Sequence, residues 1–416
     1  MTRNASLTDW GKIAADQLTY IANATEPGPG VTRLPFTPQH RQAIEIITGW
    51  MEAAGMDVHL DAAGTLVGHM AGPENSGIFY MGSHQDSVRE GGAFDGIMGV
   101  LLPILAIQRL REEGISLPFA VECLAFADEE GIRFPTALMG PRALAGTFDP
   151  AVLEMQDQDG VTLREAMENF GLHPDDIQSL HRPRQEALGY LETHIEQGPI
   201  LEEAEQALGV VTAICGIERH QITLTGETGH AGTLPMSSRR DALVGAAALV
   251  TEVNRLANET PELRGTVGAL SLLPNVVNAV PREVRMTIEL RAPDDRVREN
   301  AGQHIHQFAT KIAKLHKLHL QIEGTYQQSA QKCDTALKEC LTTAVKTTVG
   351  TALLLPSGAT HDASAMADLC PISMLFVRCQ DGVSHVSDEY ASHEDMGKAV
   401  EAISAFLKSY AGANAR

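Results

Sequence analysis

Residues 82–99, GSHQDSVREGGAFDGIMG, place metal-ligating side chains on a glycine-rich backbone directly after the apolar run Ile78–Met81. His84 lies where that run ends, and Asp95 lies inside the glycine-rich turn. In open α/β sheets, the side chains that do chemistry are found beyond the carboxyl ends of strands. The stretch therefore predicts a functional site at the end of a strand.

Further acids and histidines lie at comparable places along the chain, namely the acidic run 128–130, His194 and His385. Imidazole and carboxylate ligands together suit zinc, manganese, cobalt or nickel, whereas an all-oxygen set would suit calcium or magnesium. Taken singly, each signal has an ordinary explanation, since acidic runs often begin helices and glycines often mark turns. Their recurrence at strand ends in one α/β pattern predicts a metal site.

The composition limits the class of protein. A length of 416 residues, with 44% hydrophobic and 20% charged residues, predicts a globular protein of two domains. A formal net charge of −21 opposes binding to nucleic acid or anionic membranes, so we expect neither as a partner. The N-terminal residues lack an apolar signal segment and the six cysteines form no CxxC pair, so we expect a cytoplasmic protein with reduced cysteines.

The order of apolar strands and amphipathic helices predicts the domain organisation. Residues 1–211 and 329–416 alternate strands with helices, which favours a mostly parallel sheet covered by helices. Residues 212–328 follow the order β-α-β-β-α-β, the ferredoxin-like split unit. We therefore predict a small domain at 212–328 inserted into a larger, discontinuous metal-binding catalytic domain.

Several distinctive motifs are distributed along the whole length of the chain. They include GSHQDSVREGGAFDGIMGV, FADEEGIRFPTALMGPRALAG, THIEQGPILEE, TGETGHAGTLPMSSRRDAL, SGATHDASAMA and GVSHVSDE. In these motifs the chain resembles the M20-type metallo-amidohydrolases, in the hydantoinase/carbamoylase branch that holds N-carbamoyl-L-amino acid hydrolases and allantoate amidohydrolases. The resemblance implies a zinc-peptidase-like mixed sheet flanked by helices, with an inserted ferredoxin-like α+β domain that serves as a lid and in dimerisation.

The resemblance also implies two divalent metal ions per subunit (Zn, Mn, Co or Ni), bridged by Asp95. His84 and His194 would complete the site of one ion, and Glu130 and His385 that of the other. A bridging carboxylate holds two cations at about 3.5–4 Å, where one can polarise a carbonyl group and both lower the pKa of a shared water. The predicted cofactors are therefore a pair of ions acting on one water molecule.

Two further acids have implied roles beside the ions. Asp86 lies two residues after His84, on the same face of an extended segment, and could accept the other N–H of that ligand and fix its tautomer. Glu129 precedes the ligand Glu130 and would be the general base that takes the proton of the water and passes it to the leaving nitrogen.

By the same resemblance, the inserted domain supplies substrate-binding residues. His230 would reach the metal centre of a neighbouring subunit and stabilise the oxyanion of the tetrahedral intermediate, which requires a homodimer. Asn278 and Arg291 match positions that hold the α-carboxylate of the substrate, and Gly358 is expected to line the same pocket. Since a guanidinium binds a carboxylate bidentately, Arg291 explains how an acidic chain could capture an anion.

The expected reaction is hydrolysis of an N-carbamoyl-L-amino acid to the L-amino acid, ammonia and carbon dioxide. The alternatives are hydrolysis of allantoate or of another N-acyl or ureido acid, and a non-catalytic protein that kept the fold. Ile217 places an apolar side chain where an amide would contact a polar substrate, which weakens the case for allantoate.

Overall fold

The structure is a computed structural model that describes residues 9–414. The residues 1–8 and 415–416, which the predicted domain bounds include, lie outside this described part. Its strands are β1 Asp57–Leu60, β2 Leu66–Met70, β3 Ile78–His84, β4 Ala120–Phe126, β5 Ala187–Ile195, β6 Leu208–Ile214, β7 Gly216–Thr225, β8 Arg264–Thr266, β9 Leu270–Leu273, β10 Glu283–Ala292, β11 His319–Gln328, β12 Gln331–Lys332, β13 Leu353–Ser357 and β14 Ile372–Val377.

The α-helices of the described chain range from four to 22 residues in length. They are α1 Trp10–Ile21, α2 Pro38–Ala53, α3 Ile97–Glu112, α4 Met139–Ala145, α5 Leu163–Phe170, α6 Ile200–Glu203, α7 Ala242–Glu259, α8 Asp295–Leu315, α9 Thr335–Val349, α10 Ala363–Met366 and α11 His393–Asn414. Local capping sets several boundaries: α2 begins where the Thr37 hydroxyl accepts the His40 N–H and Pro38 occupies the first turn. None of the helices in this part of the chain combines the length and the apolar composition that crossing a membrane requires.

The chain forms two compact units. The first comprises the residues up to Thr212, then Cys333–Leu355 and the residues from Ala359 onward, and the second comprises Ala213–Lys332 and Pro356–Gly358. The boundary after Thr212 lies one residue from the predicted position. The boundary after Lys332 lies four residues beyond the prediction, because β12 pairs with the last residues of β6.

The first unit is built on a mixed sheet in the order β1-β2-β4-β3-β5-β14-β6, with β13 also paired to β6. The four central strands, β4, β3, β5 and β14, are mutually parallel, whereas the pairs β1–β2, β2–β4 and β14–β6 are antiparallel. The mixed α/β architecture is confirmed, but the expectation of a mostly parallel sheet was wrong at the edges. There β1 and β2 form a hairpin rather than a crossover through a helix.

Burial explains the sequence pattern of the central strands. Every residue of β4 is buried, which fits its unbroken run AVECLAF, since a strand covered on both faces has no polar side. A large apolar core joins this sheet to α1, α3, α9 and α11. The helix α3 supplies much of this core, and it begins immediately after the glycine-rich turn that carries Asp95.

The second unit has a five-stranded antiparallel sheet in the order β11-β7-β10-β8, with β9 also paired to β10. In β10, EVRMTIELRA, buried residues alternate with more exposed ones, because one face packs onto α7 and α8. The chain order is β-α-β-β-α-β once β8 and β9 are counted as one interrupted strand. The second strand of this order is therefore divided between β8 and β9.

Candidate metal centre

The parallel arrangement of β4, β3 and β5 explains how distant ligands meet. His84 is the last residue of β3, and His194 lies one residue before the end of β5, its neighbour in the sheet. The acidic run 128–130 follows β4, on the other side of β3. His385 lies beyond β14, which pairs with β5. Because parallel strands end at the same edge of a sheet, these side chains converge there.

A glycine allows the loop of Asp95 to come close to His84. Gly96 has a φ of +65°, a conformation that residues with a Cβ rarely adopt. A Cβ at this position would lie 2.3 Å from His84 Nδ1, which is far inside van der Waals contact. The glycine is therefore required both by the backbone turn and by the imidazole packed against it.

The two carboxylate oxygens of Asp95 face different partners. Oδ1 lies 3.0 Å from His194 Nε2 and 3.7 Å from His84 Nε2, and these residues form the first ligand group. Oδ2 lies 3.1 Å from His385 Nε2, which in turn lies 3.8 Å from Glu130 Oε1, and these residues form the second ligand group. Asp95 is thus common to both groups, with one oxygen directed to each.

Main-chain carbonyls orient the two buried histidines of the first ligand group. His84 Nδ1 lies 3.0 Å from the carbonyl oxygen of Asp86, and His194 Nδ1 lies 3.0 Å from that of Ile195. When Nδ1–H donates to a carbonyl, the lone pair remains on Nε2, the atom that faces Asp95 in both cases. Both imidazoles are therefore held in the tautomer that binds a metal ion.

Asp86 does not orient His84 through its carboxylate, as the sequence suggests it could. Its carboxylate Oδ1 is 3.5 Å from His84 Nδ1, farther than its own carbonyl oxygen. The two carboxylate oxygens instead accept the backbone N–H groups of Glu129 and Glu130, at 3.1 and 3.2 Å. Asp86 therefore ties the acidic loop to the segment that carries His84.

The electrostatics of the cluster fit divalent cations. Asp95 Oδ1 is buried and makes no hydrogen bond, although two imidazole nitrogens lie within 4 Å, so a cation at this point would satisfy all three atoms. Burial raises the pKa of the Glu129 carboxyl well above its ordinary value, and burial also raises the pKa of Glu130 to about 7. Burial opposes ionisation of Asp95 too, but the imidazoles of His194 and His385 outweigh it and hold its pKa well below the usual range. A metal ion would stabilise the charged, carboxylate forms of acids that lie this close together.

The substrate-binding residues expected in the second unit lie in two local arrangements. The backbone of His230 pairs with Ala279, and the Ala231 N–H donates to the Asn278 carbonyl oxygen at 2.9 Å, so the His230 turn adjoins Asn278. Arg291 Nη1 donates to the carbonyl oxygen of Gly358 at 2.8 Å. Each of these four residues thus lies beside another of the four. Their roles toward a substrate stay predictions.

The histidine and arginine of these arrangements have fixed partners. The exposed His230 accepts the Gly232 N–H on Nδ1 at 3.1 Å, which leaves its hydrogen on Nε2. Arg291 Nε donates to Glu289 Oε1 at 2.7 Å. The imidazole of His230 is therefore prepared to donate a hydrogen bond from Nε2.

Sequence reasoning missed several polar residues at the metal centre. Gln197 Nε2 lies 3.1 Å from Asp95 Oδ2 and 3.3 Å from His385 Nε2, although the motif THIEQGP that contains it was recognised. Glu192, two residues before His194, accepts the Ser83 hydroxyl at 2.8 Å and, with His361, forms a further potential ligand group around His194. Glu389, in the motif GVSHVSDE, was also overlooked.

A sheet that gathers imidazoles and carboxylates beyond its parallel strands is typical of metal-dependent hydrolases of the α/β class. A profile of Peptidase family M20/M25/M40 matches residues 74–409. The chain belongs to this family, which is generally metal-dependent, and it is an amidohydrolase.

Individual relatives cover nearly the whole chain. An N-carbamoyl-L-amino acid amidohydrolase of Geobacillus stearothermophilus is 39% identical over 379 residues, covering 91% of this chain and 93% of that protein. An allantoate deiminase of Arabidopsis thaliana is 34% identical, covering 95% and 82%. The crystal structure of an amidase of the hydantoinase/carbamoylase family from Burkholderia multivorans has a TM-score of 0.90 at 33% identity, covering 96% of this chain and 97% of that one.

Proposed function

We propose that this protein hydrolyses N-carbamoyl-L-amino acids to the L-amino acid, ammonia and carbon dioxide, using two divalent metal ions. The observation that carries the proposal is that the two oxygens of the Asp95 carboxylate face different ligand groups. Oδ1 faces His84 and His194, and Oδ2 faces His385. One carboxylate shared by two ligand groups is the arrangement that a pair of ions requires.

The chain would hold one ion with the first ligand group and the other with the second. When bound, the ions would polarise the carbonyl group and lower the pKa of the attacking water. Glu129, beside the ligand Glu130, takes the proton from that water and transfers it to the leaving nitrogen. The C–N bond to the amino acid breaks, and the carbamate that remains decomposes to ammonia and carbon dioxide.

Recognition of the substrate is assigned to the second unit. Arg291 and Asn278 bind the α-carboxylate, with Gly358 beside the guanidinium. His230 donates from Nε2 to the oxyanion, which is consistent with the hydrogen bond that its Nδ1 accepts. We further propose that His230 acts on the metal centre of a partner subunit, so that the active enzyme is a homodimer and the second unit is its lid and dimerisation domain.

Allantoate is the second candidate substrate, because plant allantoate deiminases are similar over almost the whole chain. Like an N-carbamoyl amino acid, allantoate carries a carboxylate and a ureido group. The discriminating experiment measures ammonia release from N-carbamoyl-L-amino acids, their D-enantiomers and allantoate, and release of the free amino acid from N-acetyl-L-amino acids. We expect turnover of the N-carbamoyl-L series, abolished by a chelator and restored by Zn²⁺, Mn²⁺, Co²⁺ or Ni²⁺. Turnover of allantoate alone would replace the first candidate with the second.

A further inference from the structure

Glu389 connects two loops that lie far apart in the sequence. It is buried, with 4% of its surface exposed, and it follows β14 and precedes α11. Its Oε1 accepts the backbone N–H groups of Phe94 and Asp95, at 3.0 and 2.9 Å. Its Oε2 accepts the Ser384 hydroxyl at 2.8 Å and the His385 N–H at 3.3 Å. A single carboxylate therefore receives two donors from each loop.

Both loops carry members of the second ligand group. Asp95 and His385, whose facing atoms Oδ2 and Nε2 are 3.1 Å apart, each donate their own backbone N–H to Glu389. Four donors occupy the two oxygens of this side chain, which matches the acceptor capacity of a carboxylate and exceeds that of an amide. The Glu389 carboxylate thus connects the backbones of Asp95 and His385, while Gln197 Nε2 lies between their side chains.

Two local features show that the surrounding backbone is shaped to this carboxylate. His385 has a φ of +63°, a costly conformation for a residue with a Cβ, so its loop requires external contacts to hold it. On the opposite loop, a Cβ at Gly92 would lie 2.2 Å from Glu389 Oε1. The loop of Asp95 thus admits the carboxylate only because residue 92 has no side chain.

We propose that Glu389 is the positioning residue of the second ligand group: it fixes His385 relative to Asp95 and thereby sets the affinity of that group for its metal ion. This inference rests on the proposed two-metal function. Glu389 acts through the backbone of the two ligands and is not itself a ligand or a catalytic residue.

The substitution Glu389→Gln tests the proposal with little change in volume. A glutamine has one acceptor oxygen, and its amide nitrogen cannot accept the N–H groups of the loop that it faces, so at least one of the two ligand loops loses a backbone hydrogen bond. Partners of metal ligands typically change metal affinity 10- to 100-fold when removed, and we expect a weakening of about this size for one ion. Binding of the other ion, at His84 and His194, should be nearly unchanged.

The matched control is Glu196→Gln. Glu196 is also a buried glutamate whose two oxygens each accept a backbone N–H, from Ile200 and Leu201, both at 2.8 Å. It receives no donor from the loops of Asp95 or His385 among the hydrogen bonds of the described residues. This variant should lose stability without changing the affinity for either ion.

The measurement is a titration of the chelator-treated full-length protein with Co²⁺, followed by calorimetry and by visible absorption, which reports the coordination of cobalt. Wild type should bind two ions, and Glu389→Gln should bind one with wild-type affinity and one weakly, with an altered spectrum. Excess metal should restore kcat in this variant. Wild-type affinities in Glu389→Gln, with a melting temperature lowered as in the control, would overturn the positioning role.

One further outcome tests the proposed two-metal function itself, and a second variant covers the case in which Glu389→Gln does not fold. If wild type binds fewer than two ions, the proposed two-metal function fails, and the inference fails with it. If Glu389→Gln does not fold, Ser384→Ala removes one of the four donors, together with the contacts of its hydroxyl with Asp95 Oδ2 and Gln197 Nε2, and should weaken the same ion by a smaller factor. An unchanged affinity in Ser384→Ala under those circumstances would count against the proposal.

Discussion

At the scale of single residues, the site shows how similar acids acquire different tasks through their surroundings. Asp95 lies between imidazoles that favour its charged form, whereas burial and neighbouring carboxylates disfavour the charged forms of Glu129 and Glu130. A carboxylic acid must lose its proton to bind a metal ion, and a bound cation would favour this at Glu130, whereas a general base must be able to hold a proton during the reaction. The surroundings of these acids suit both tasks, and the adjacent pair Glu129 and Glu130 can be separated experimentally.

We predict that Glu129→Gln retains the bound metal and loses activity by about 10²–10⁴-fold, because an amide cannot accept the proton of the water. Glu130→Gln should instead lose one of the two ions, because it weakens the second ligand group. Elemental analysis after gel filtration, combined with ammonia release, measures both effects. Equal loss of metal in the two variants would mean that their assigned roles are wrong.

The candidate ligands could be singled out from the sequence because each lies next to an apolar strand or in a distinctive motif. The rule that parallel strands end at one edge of a sheet brings His84 and His194 together, and the family resemblance then implies that they bind the same ion. Glu389 could not be predicted in this way, because its role exists only where the loops of residues 94–95 and 384–385 meet. The sequence shows an acid in a loop, but it does not show the four donors around it.

At the scale of elements, the turn between β3 and α3 has to satisfy the backbone and the metal centre together. Gly96 has a positive φ and would place any Cβ against the His84 imidazole. Gly114, at the other end of α3, has a φ of +71° but nothing within 4 Å of the position of its Cβ. A substitution at Gly114 therefore tests backbone strain alone, whereas one at Gly96 tests backbone strain together with contact with His84.

We predict that Gly96→Ala lowers the metal content and destabilises the protein more than Gly114→Ala. Both substitutions incur a positive-φ cost of about 1–2 kcal/mol, but only the first displaces His84. Metal analysis and thermal unfolding of the two variants measure the difference. If both bound wild-type amounts of metal and melted at the same temperature, the contact at residue 96 would be unimportant.

The helix α2 contains a buried histidine that should make stability depend on pH. Burial, with the charges of Arg33 and Arg41, lowers the pKa of His40 to about 3. Its Nδ1 accepts the Phe36 N–H at 2.9 Å, so a proton on that nitrogen would oppose the donor. The unfolded chain binds a proton near the ordinary pKa, so the stability that neutral His40 provides is present above about pH 6.5 and is lost as pH falls toward 3.

We predict that the free energy of unfolding contributed by His40 falls by about 2 kcal/mol between pH 7 and pH 5. In His40→Gln, the amide oxygen can still accept from Phe36 but does not titrate, so this part of the slope should disappear. His59→Gln, at an exposed position of β1, is the matched control for replacing a histidine with glutamine. Urea unfolding at both pH values measures the three slopes, and identical slopes would contradict the assignment.

At the scale of the whole molecule, the chain combines a formal net charge of −21 with a proposed anionic substrate. The long-range field opposes the approach of such a substrate, so its capture would require local positive groups, the role proposed for Arg291. The proposed homodimer distributes each active site over two subunits. The residues of the first unit and His230 of the second can therefore be inactivated separately and recombined.

We predict that mixing the inactive variants Glu129→Gln and His230→Ala restores activity. In a mixed dimer, one site would inherit both defects and the other neither, so each heterodimer should have about half of the wild-type activity. Ammonia release after demonstrated subunit exchange is the measurement, and each variant mixed with itself is the control. No recovery after exchange would show that His230 does not act across subunits.

The tripeptide Pro356–Gly358 belongs to the second unit although the chain on either side of it belongs to the first. It supplies the Ser357 carbonyl oxygen to the Cys215 N–H at 2.9 Å and the Gly358 carbonyl oxygen to Arg291. The polypeptide consequently passes between the units four times, at 212/213, 332/333, 355/356 and 358/359. A recombinational exchange of residues 213–332 between family members would therefore place Cys215 and Arg291 of one protein against main-chain acceptors of another, so a functional transplant depends on the recipient's backbone at 356–358 as well as on the exchanged segment.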